Sequence, residues 1–323
     1  MKPKVFVTRP LPAPALELLS TACEVRSHAE DASMPVSQLA EECREVEGIL
    51  VNSTRVNEEV LNAAPKLRAI SNSGVGYDNI DVAACNRRRI PITNLAGSLE
   101  ETTADMAFTL LLAAARRAIE ADRYVRDGQW ERWQFGLMHG LDVHHKTLGL
   151  VGFGGIGRPM ARRGLGFSMR ILYHTRHRAD ESVERELQAE YADLETLLRE
   201  SDFLSLHVPL TPETRHIIDG KALGLMKKTA ILVNTARGPV VDEEALVEAL
   251  SSRKIAGAGL DVFEREPQIN PALAWLDNVV MAPHIGSATG ETRIRMAMLA
   301  ARNLIAMLAG ERPANVVNPE IYS

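Results

Sequence analysis

Short apolar runs alternate with amphipathic stretches along the N-terminal part of the chain. Lys4–Val7, Ile49–Val51, Leu67–Ser71 and Pro91–Thr93 read as strands, and apolar residues at helical spacing mark Ala15–Leu19, Ser37–Val46, Glu58–Ala63 and Val82–Arg88. From Thr147 the alternation resumes. Strands are predicted at Thr147–Val151, Arg170–His174, Phe203–His207, Ala230–Asn234, Ala256–Leu260 and Val279–Met281, with helices at Ile156–Gly164, Leu194–Glu200, Gly220–Met226, Glu243–Leu250 and finally Gly290–Leu308. Alternation of this kind implies parallel βα units, and the second block matches a doubly wound sheet. Between the blocks one long helix is expected from Leu99 to Arg126. Ser98 would be its N-cap, Glu101 the capping-box partner and Gly128 its stop, and its length would bridge two domains. No fixed-period repeat or low-complexity segment interrupts the pattern.

Composition narrows the class. The 323 residues are 46% hydrophobic, enough for two domains with cores. Lys+Arg 37 against Asp+Glu 42 gives a net charge of −5, which argues against a nucleic-acid binder. Cys23, Cys43 and Cys85 form no disulfide framework or C-x-x-C knuckle, so a reducing cytoplasm is expected. The longest apolar stretch, Ala104–Ala115, is too short for a membrane span. His144 and His145 are adjacent and would point to opposite faces of a strand, and no other metal-ligand spacing is present, so no metal is expected.

The chemistry begins at Gly152-Phe153-Gly154-Gly155-Ile156-Gly157. This G-x-G-x-x-G follows an apolar strand and opens a helix, the context that makes it a dinucleotide fingerprint. A helix N-terminus there would face a pyrophosphate with unpaired N–H groups. A site for NAD carries an acid about 20 residues on, for the ribose hydroxyl. His174 stands there instead, 22 residues after Gly152, followed by Thr175, Arg176 and Arg178. A hydroxyl and two guanidiniums suit a 2′-phosphate, so NADPH is expected, with NADH weaker.

Three later segments each end a predicted strand with a polar group, where sheet ligands bind. They are Val233-Asn234-Thr235-Ala236-Arg237-Gly238, Gly259-Leu260-Asp261-Val262-Phe263-Glu264-Arg265-Glu266-Pro267 and Ala282-Pro283-His284-Ile285-Gly286-Ser287. With these, the Ser73-Gly74-Val75-Gly76-Tyr77-Asp78-Asn79-Ile80-Asp81 loop and the fingerprint, the chain resembles the D-isomer-specific 2-hydroxyacid dehydrogenases over almost its whole length. Within them it is most similar to the bacterial glyoxylate/hydroxypyruvate reductases, also called 2-ketogluconate reductases.

The resemblance implies two Rossmann-like domains. The smaller, flavodoxin-like, substrate-binding domain would comprise residues 1–98 and 286–323, and the doubly wound dinucleotide-binding domain residues 99–285, with the active site in the cleft between them. It carries the family's catalytic Arg, Glu and His onto Arg237, Glu266 and His284. The chemistry fits those types. Reduction of a 2-oxo acid needs a proton at the carbonyl oxygen, and an imidazolium titrates near neutrality. A neighbouring carboxylate favours the charged ring and orients it. A guanidinium can fork a carboxylate and polarise the carbonyl. Substrate contacts are further implied for the Val75 and Gly76 amides and for Ser287. Cofactor contacts are implied for Thr103, His207, Val208, Pro209, Thr214, Thr235, Ala236, Asp261 and Gly286, besides Arg237 and His284. A homodimer is implied, with Trp130 and Trp133 in a contact arm. Two alternatives stay open: a dehydrogenase of the same fold with another substrate, and a non-enzymatic corepressor that senses the dinucleotide. Phosphite enzymes resemble this family but carry Lys at the position of Val75, which offers no charge.

Overall fold

The computed structural model describes residues 1–323, and they fall into two compact units, Met1–Leu99 with Ala288–Ser323, and Glu100–Ser287. The first unit begins β1 (Lys4–Val7), α1 (Ala13–Ala22), β2 (Glu24–Ser27), α2 (Val36–Glu42), β3 (Gly48–Val51), α3 (Glu58–Ala63), β4 (Ala69–Asn72), α4 (Val82–Arg87) and β5 (Ile92–Thr93). Its sheet runs β2-β1-β3-β4-β5 with every pairing parallel, the flavodoxin-like order. Every residue of β3 and β4 is buried, as expected for strands covered on both faces. Asn57 and Asp81 cap α3 and α4 through the amides of Val60 and Ala84. Phe6, Leu39, Ile49, Leu61, Ile70 and Ile92 belong to the core on one side of this sheet.

The second unit contains α5 (Glu100–Ala115), α6 (Ala118–Arg126), β6 (Thr147–Val151), α7 (Gly157–Gly166), β7 (Arg170–His174), α8 (Glu181–Leu187), β8 (Ala189–Tyr191), α9 (Leu194–Glu200), β9 (Phe203–Leu206), α10 (Gly220–Leu225), β10 (Ile231–Asn234), α11 (Glu243–Ser251), β11 (Gly257–Leu260) and β12 (Val279–Met281). Its parallel sheet is ordered β12-β11-β10-β9-β6-β7-β8. Strand order therefore reverses between β6 and β9, the switch point outside which ligands bind in open α/β sheets. The chain then returns to the first unit with α12 (Gly290–Leu308), which packs on β3 and β4. Ser71 Oγ anchors it, donating to the Ala300 carbonyl at 2.9 Å.

The structure corrects three expectations. The long helix is two helices, because Arg117 adopts φ 51°, in the left-handed region, and the Leu141 amide takes the Ala115 carbonyl at 2.8 Å. Ser98 is not a capping-box residue: its hydroxyl donates to Leu95 O, and Glu101 pairs instead with Arg163 at 2.9 Å. The sheets also hold strands absent from the sequence reading, β2 and β8, each at a sheet edge.

Candidate active site

At the switch point the strand β6 runs into the fingerprint. Gly152 takes φ +99°, and a Cβ there would lie 2.3 Å from the His207 carbonyl, so only glycine lets the turn pass under the end of β9. Gly154 differs: nothing lies within 4 Å of where its Cβ would be. Open space over that glycine, at the entrance to α7, is what a pyrophosphate requires. Gly155 packs on Glu100, whose Cγ would be 2.9 Å from an added Cβ, Ile156 is the residue before α7, and Gly157 packs against Gly152. Arg158, which the sequence reading passed over, stands in the first turn of α7 with Nε donating to Phe153 O at 3.1 Å.

Two buried polar atoms near this point lack partners in the chain, His207 Nδ1 and Thr235 Oγ1. His207 Nε2 meets Ser205 Oγ at 2.9 Å, and burial pushes its imidazole down to about 3, so the ring is neutral. Val208 and Pro209 follow it, and Thr214 closes the turn with its hydroxyl on Pro209 O at 2.6 Å. Open space and orphaned polar atoms together fit a dinucleotide.

The loop after β7 is organised by Tyr173. This fully buried ring stacks on Phe153 at 4.2 Å, its hydroxyl donates to Glu184 Oε1 at 2.6 Å and it accepts the Ala179 amide at 2.9 Å. Arg178 closes the same network with two bonds of 2.8 Å to Glu184. Arg178 and Tyr173 hold the Glu184 carboxyl down to about 2. Arg178 is thus held by a carboxylate along its Nε–Nη2 edge, which makes the unpaired, exposed Arg176 the stronger candidate for a 2′-phosphate. Thr175 turns its hydroxyl to His177 O at 2.6 Å. Arg176 is exposed, and its charge is among those that lower the Glu213 carboxyl, after the Thr211 hydrogen bond and the Glu213 amide.

Arg237, Glu266 and His284 come together past the ends of β10, β11 and β12. Glu266 Oε2 lies 2.7 Å from His284 Nδ1, and Oε1 accepts the Phe263 amide at 3.0 Å. Burial pushes the Glu266 carboxyl up, but the bond to His284 and its charge, with the Phe263 amide and the Arg237 charge, hold it below the usual range. Asn234, 1% exposed, fixes the Arg237 turn by accepting the Ala236 amide and donating to Arg237 O, both at 3.0 Å.

His284 itself sits at φ 55°, unusual for a residue with a Cβ. Asp261 accounts for it. Its main-chain carbonyl accepts the His284 amide at 2.8 Å, and its buried carboxylate accepts Ile285 at 2.8 Å and Gly286 at 2.7 Å. Burial raises the Asp261 carboxyl, opposed by those two amides. Thr103 of α5 packs against Gly286, its Cγ2 3.4 Å from where a Cβ would lie, and Ser287 is half-buried at the end of this loop.

In the first unit, the amides of Val75 and Gly76 follow β4 in a loop where the carbonyls of Gly74, Val75 and Gly76 are bound from within the unit. No His, Cys, Asp or Glu cluster of metal-binding form is present, and no helix is long and apolar enough to cross a membrane.

A strand-reversal point carrying an open glycine loop, beside a His–Glu pair with an arginine, defines a dinucleotide-dependent dehydrogenase class. Comparison with known proteins sharpens the class. Residues 108–286 match the family profile described as D-isomer specific 2-hydroxyacid dehydrogenase, NAD binding domain. A glyoxylate reductase of Thermococcus litoralis is 51% identical over 328 residues, covering 100% of this chain and 99% of the relative. The crystal structure of a glyoxylate reductase from Paecilomyes thermophila superimposes with a TM-score of 0.89 at 35% identity, over 99% of both chains. An NADPH-dependent glyoxylate/hydroxypyruvate reductase from Sinorhizobium meliloti, solved with NADP and malonate, gives a TM-score of 0.89 at 34% identity, covering 98% of this chain and 97% of its own. The chain belongs to the D-isomer specific 2-hydroxyacid dehydrogenase family.

Proposed function

We propose that this enzyme reduces small 2-oxo acids to D-2-hydroxy acids, glyoxylate foremost, with hydroxypyruvate and 2-ketogluconate as further substrates and NADPH preferred over NADH. The observation that carries the reading is the 2.7 Å pairing of His284 with Glu266, joined by the charge of Arg237. The glyoxylate reductases that match over the whole length support it.

The unit Glu100–Ser287 is the dinucleotide domain and the other the substrate domain. Gly152, Gly154, Gly155, Ile156 and Gly157 would hold the pyrophosphate, and Thr175 and Arg176 the 2′-phosphate. His207, Val208, Pro209 and Thr214 would border the adenosine, and Thr103, Thr235, Ala236, Asp261 and Gly286 the nicotinamide end. When bound, the dinucleotide supplies a hydride to the substrate's carbonyl carbon. Glu266, 2.7 Å from Nδ1 of His284, orients the ring, which leaves Nε2, without a partner in the chain, to give the proton to the carbonyl oxygen. Arg237 receives the carboxylate and polarises the carbonyl. The Val75 and Gly76 amides receive the carboxylate as well, and Ser287 completes the substrate contacts.

The protein is proposed to be a cytoplasmic homodimer. Three buried free thiols favour a reducing compartment. Trp130, Trp133 and Phe135 stand exposed on the segment after α6, the kind of aromatic surface that a second copy covers.

The test is oxidation of NADPH and of NADH, followed by absorbance, with glyoxylate and with its uncharged amide. The reading requires turnover of glyoxylate, faster at low cofactor with NADPH, and poor use of glyoxylamide. Equal use of acid and amide would remove carboxylate recognition, and no turnover of any 2-oxo acid would favour the non-enzymatic alternative.

A further inference from the structure

The Val75–Gly76 loop owes its shape to two asparagines outside it. Asn72, the last residue of β4, is 2% exposed, and its Nδ2 donates to the carbonyls of both Gly74, at 3.1 Å, and Gly76, at 2.7 Å. Asn94, just past β5, donates Nδ2 to the Val75 carbonyl between them at 2.9 Å. Gly74 O also takes the Leu95 amide at 3.1 Å. Three successive carbonyls are thus each claimed by a donor from the end of the sheet. Asn94 is itself held, its carbonyl receiving Asn303 Nδ2 at 3.4 Å and its amide donating to Asn315 O at 3.1 Å.

In a planar trans peptide the N–H points opposite to the C=O of the same unit. Holding those carbonyls therefore turns the amides of Val75, Gly76 and Tyr77 away from the asparagines. None of these three amides has an acceptor within the chain. Successive backbone N–H groups so presented form a concavity that suits an anion.

We infer that Asn72 and Asn94 are positioning residues for the substrate carboxylate, setting the direction of the amides that receive it. The inference rests on the 2-oxo acid reading above. Asn72 suits the task because one –NH₂ group supplies both hydrogens to carbonyls two residues apart. A carboxylate in its place would face the same carbonyls with no donor.

The experiment compares Asn72→Ala, Asn72→Asp and Asn94→Ala with the unaltered enzyme, at saturating NADPH. Unmade bonds to these half-buried carbonyls let the loop relax, so the KM for glyoxylate is expected to rise on the order of tenfold in Asn72→Ala. The kcat and the KM for NADPH are expected to hold, the pattern of lost uniform binding. Inhibition by oxalate should weaken by the same factor. Glyoxylamide, which has no carboxylate, should lose little, so the preference for acid over amide narrows. Asn72→Asp should be worse than Asn72→Ala. Asn94 is less buried than Asn72, so Asn94→Ala reads the same loop if Asn72 proves necessary for folding, and thermal melts identify the folded variants. Equal losses for glyoxylate and glyoxylamide in a folded variant, or unchanged oxalate inhibition in Asn94→Ala, would overturn the inference. Failure of the unaltered enzyme to reduce glyoxylate would instead strike the functional reading itself.

Discussion

Asp261→Asn is the sharpest probe of how His284 is held. The side chain keeps its shape but exchanges one carboxylate oxygen for an –NH₂ group. Both oxygens are in use, on the Ile285 amide at 2.8 Å and the Gly286 amide at 2.7 Å. Whichever way the new amide turns, one donor then faces another. A hydrogen bond to a charged group contributes about 1.5–3 kcal/mol. A non-glycine residue in a sparsely populated backbone region costs of order 1–3 kcal/mol, and His284, at φ 55°, carries that strain. The lost bond is as large as the strain it restrains, so the loop is expected to relax and take the imidazole out of place. At about 1.4 kcal/mol per decade, kcat should fall roughly ten- to a hundredfold.

Steady-state kinetics at saturating NADPH measures this, because the KM for NADPH reports separately on any contact of Asp261 with the nicotinamide end. Gly286→Ala is the companion variant: its Cβ would lie 2.9 Å from Asp261 Oδ2 and press on the same clamp from outside, so a smaller fall in kcat is expected. An Asp261→Asn enzyme with unaltered kcat and only a raised KM for NADPH would refute the argument, showing that the residue serves the cofactor and not the loop.

Arg176→Ala is expected to raise the KM for NADPH several-fold or more, a charge-assisted phosphate contact contributing about 1.5–3 kcal/mol, and to leave NADH use unchanged; equal losses with both cofactors would remove Arg176 from the 2′-phosphate site. Arg178→Ala should spare both cofactors and instead lower thermal stability. Because Arg178 is the larger of the two groups, with Tyr173, that hold the Glu184 carboxyl down to about 2, that lost stability is present above the ordinary glutamate value and disappears as pH falls through about 2, which melts across an acid series would show. His284→Ala should lose at least about 10²-fold in turnover with NADPH binding by fluorescence titration intact, whereas Glu266→Gln, which removes the charged partner of His284 Nδ1, should be milder; unaltered turnover in Glu266→Gln would uncouple the pair.

Much of the fold was legible because its strands are covered on both faces. Gly48–Val51, Phe203–Leu206, Ile231–Asn234 and Gly257–Leu260 are buried at every position, and such strands read as unbroken runs of apolar and small residues. Two of the four edge strands, β2 and β8, escaped for the complementary reason. Glu24-Val25-Arg26-Ser27 buries no side chain and Ala189-Glu190-Tyr191 only Ala189, so their strand character lies in backbone pairing to β1 and β7 rather than in a pattern of side chains. The break at Arg117 was invisible in another way. Arg116 and Arg117 suit a helix well enough. What ends α5 is Leu141, far along the chain, whose amide claims the Ala115 carbonyl.

The same distinction divides the site. A polar residue just past an apolar strand is visible in sequence, and Arg237, Asp261 and His284 stood out that way. Which charge a distant residue has already claimed is not visible. Arg176 and Arg178 look equivalent in the string Thr175-Arg176-His177-Arg178, yet Glu184, one turn into the next helix, takes the Nε–Nη2 edge of Arg178 while Arg176 stands exposed. Asp261 reads as an acid waiting for a ligand, yet two amides of the His284 loop already occupy its oxygens. Asn72 shows the converse. It carries no charge and touches no expected ligand, so nothing in the sequence marks it, although it orients two of the three peptide units around Val75 and Gly76. Charge and position along a strand point to the candidate site residues. The residues that hold them in place are found only by following each donor and acceptor to its partner.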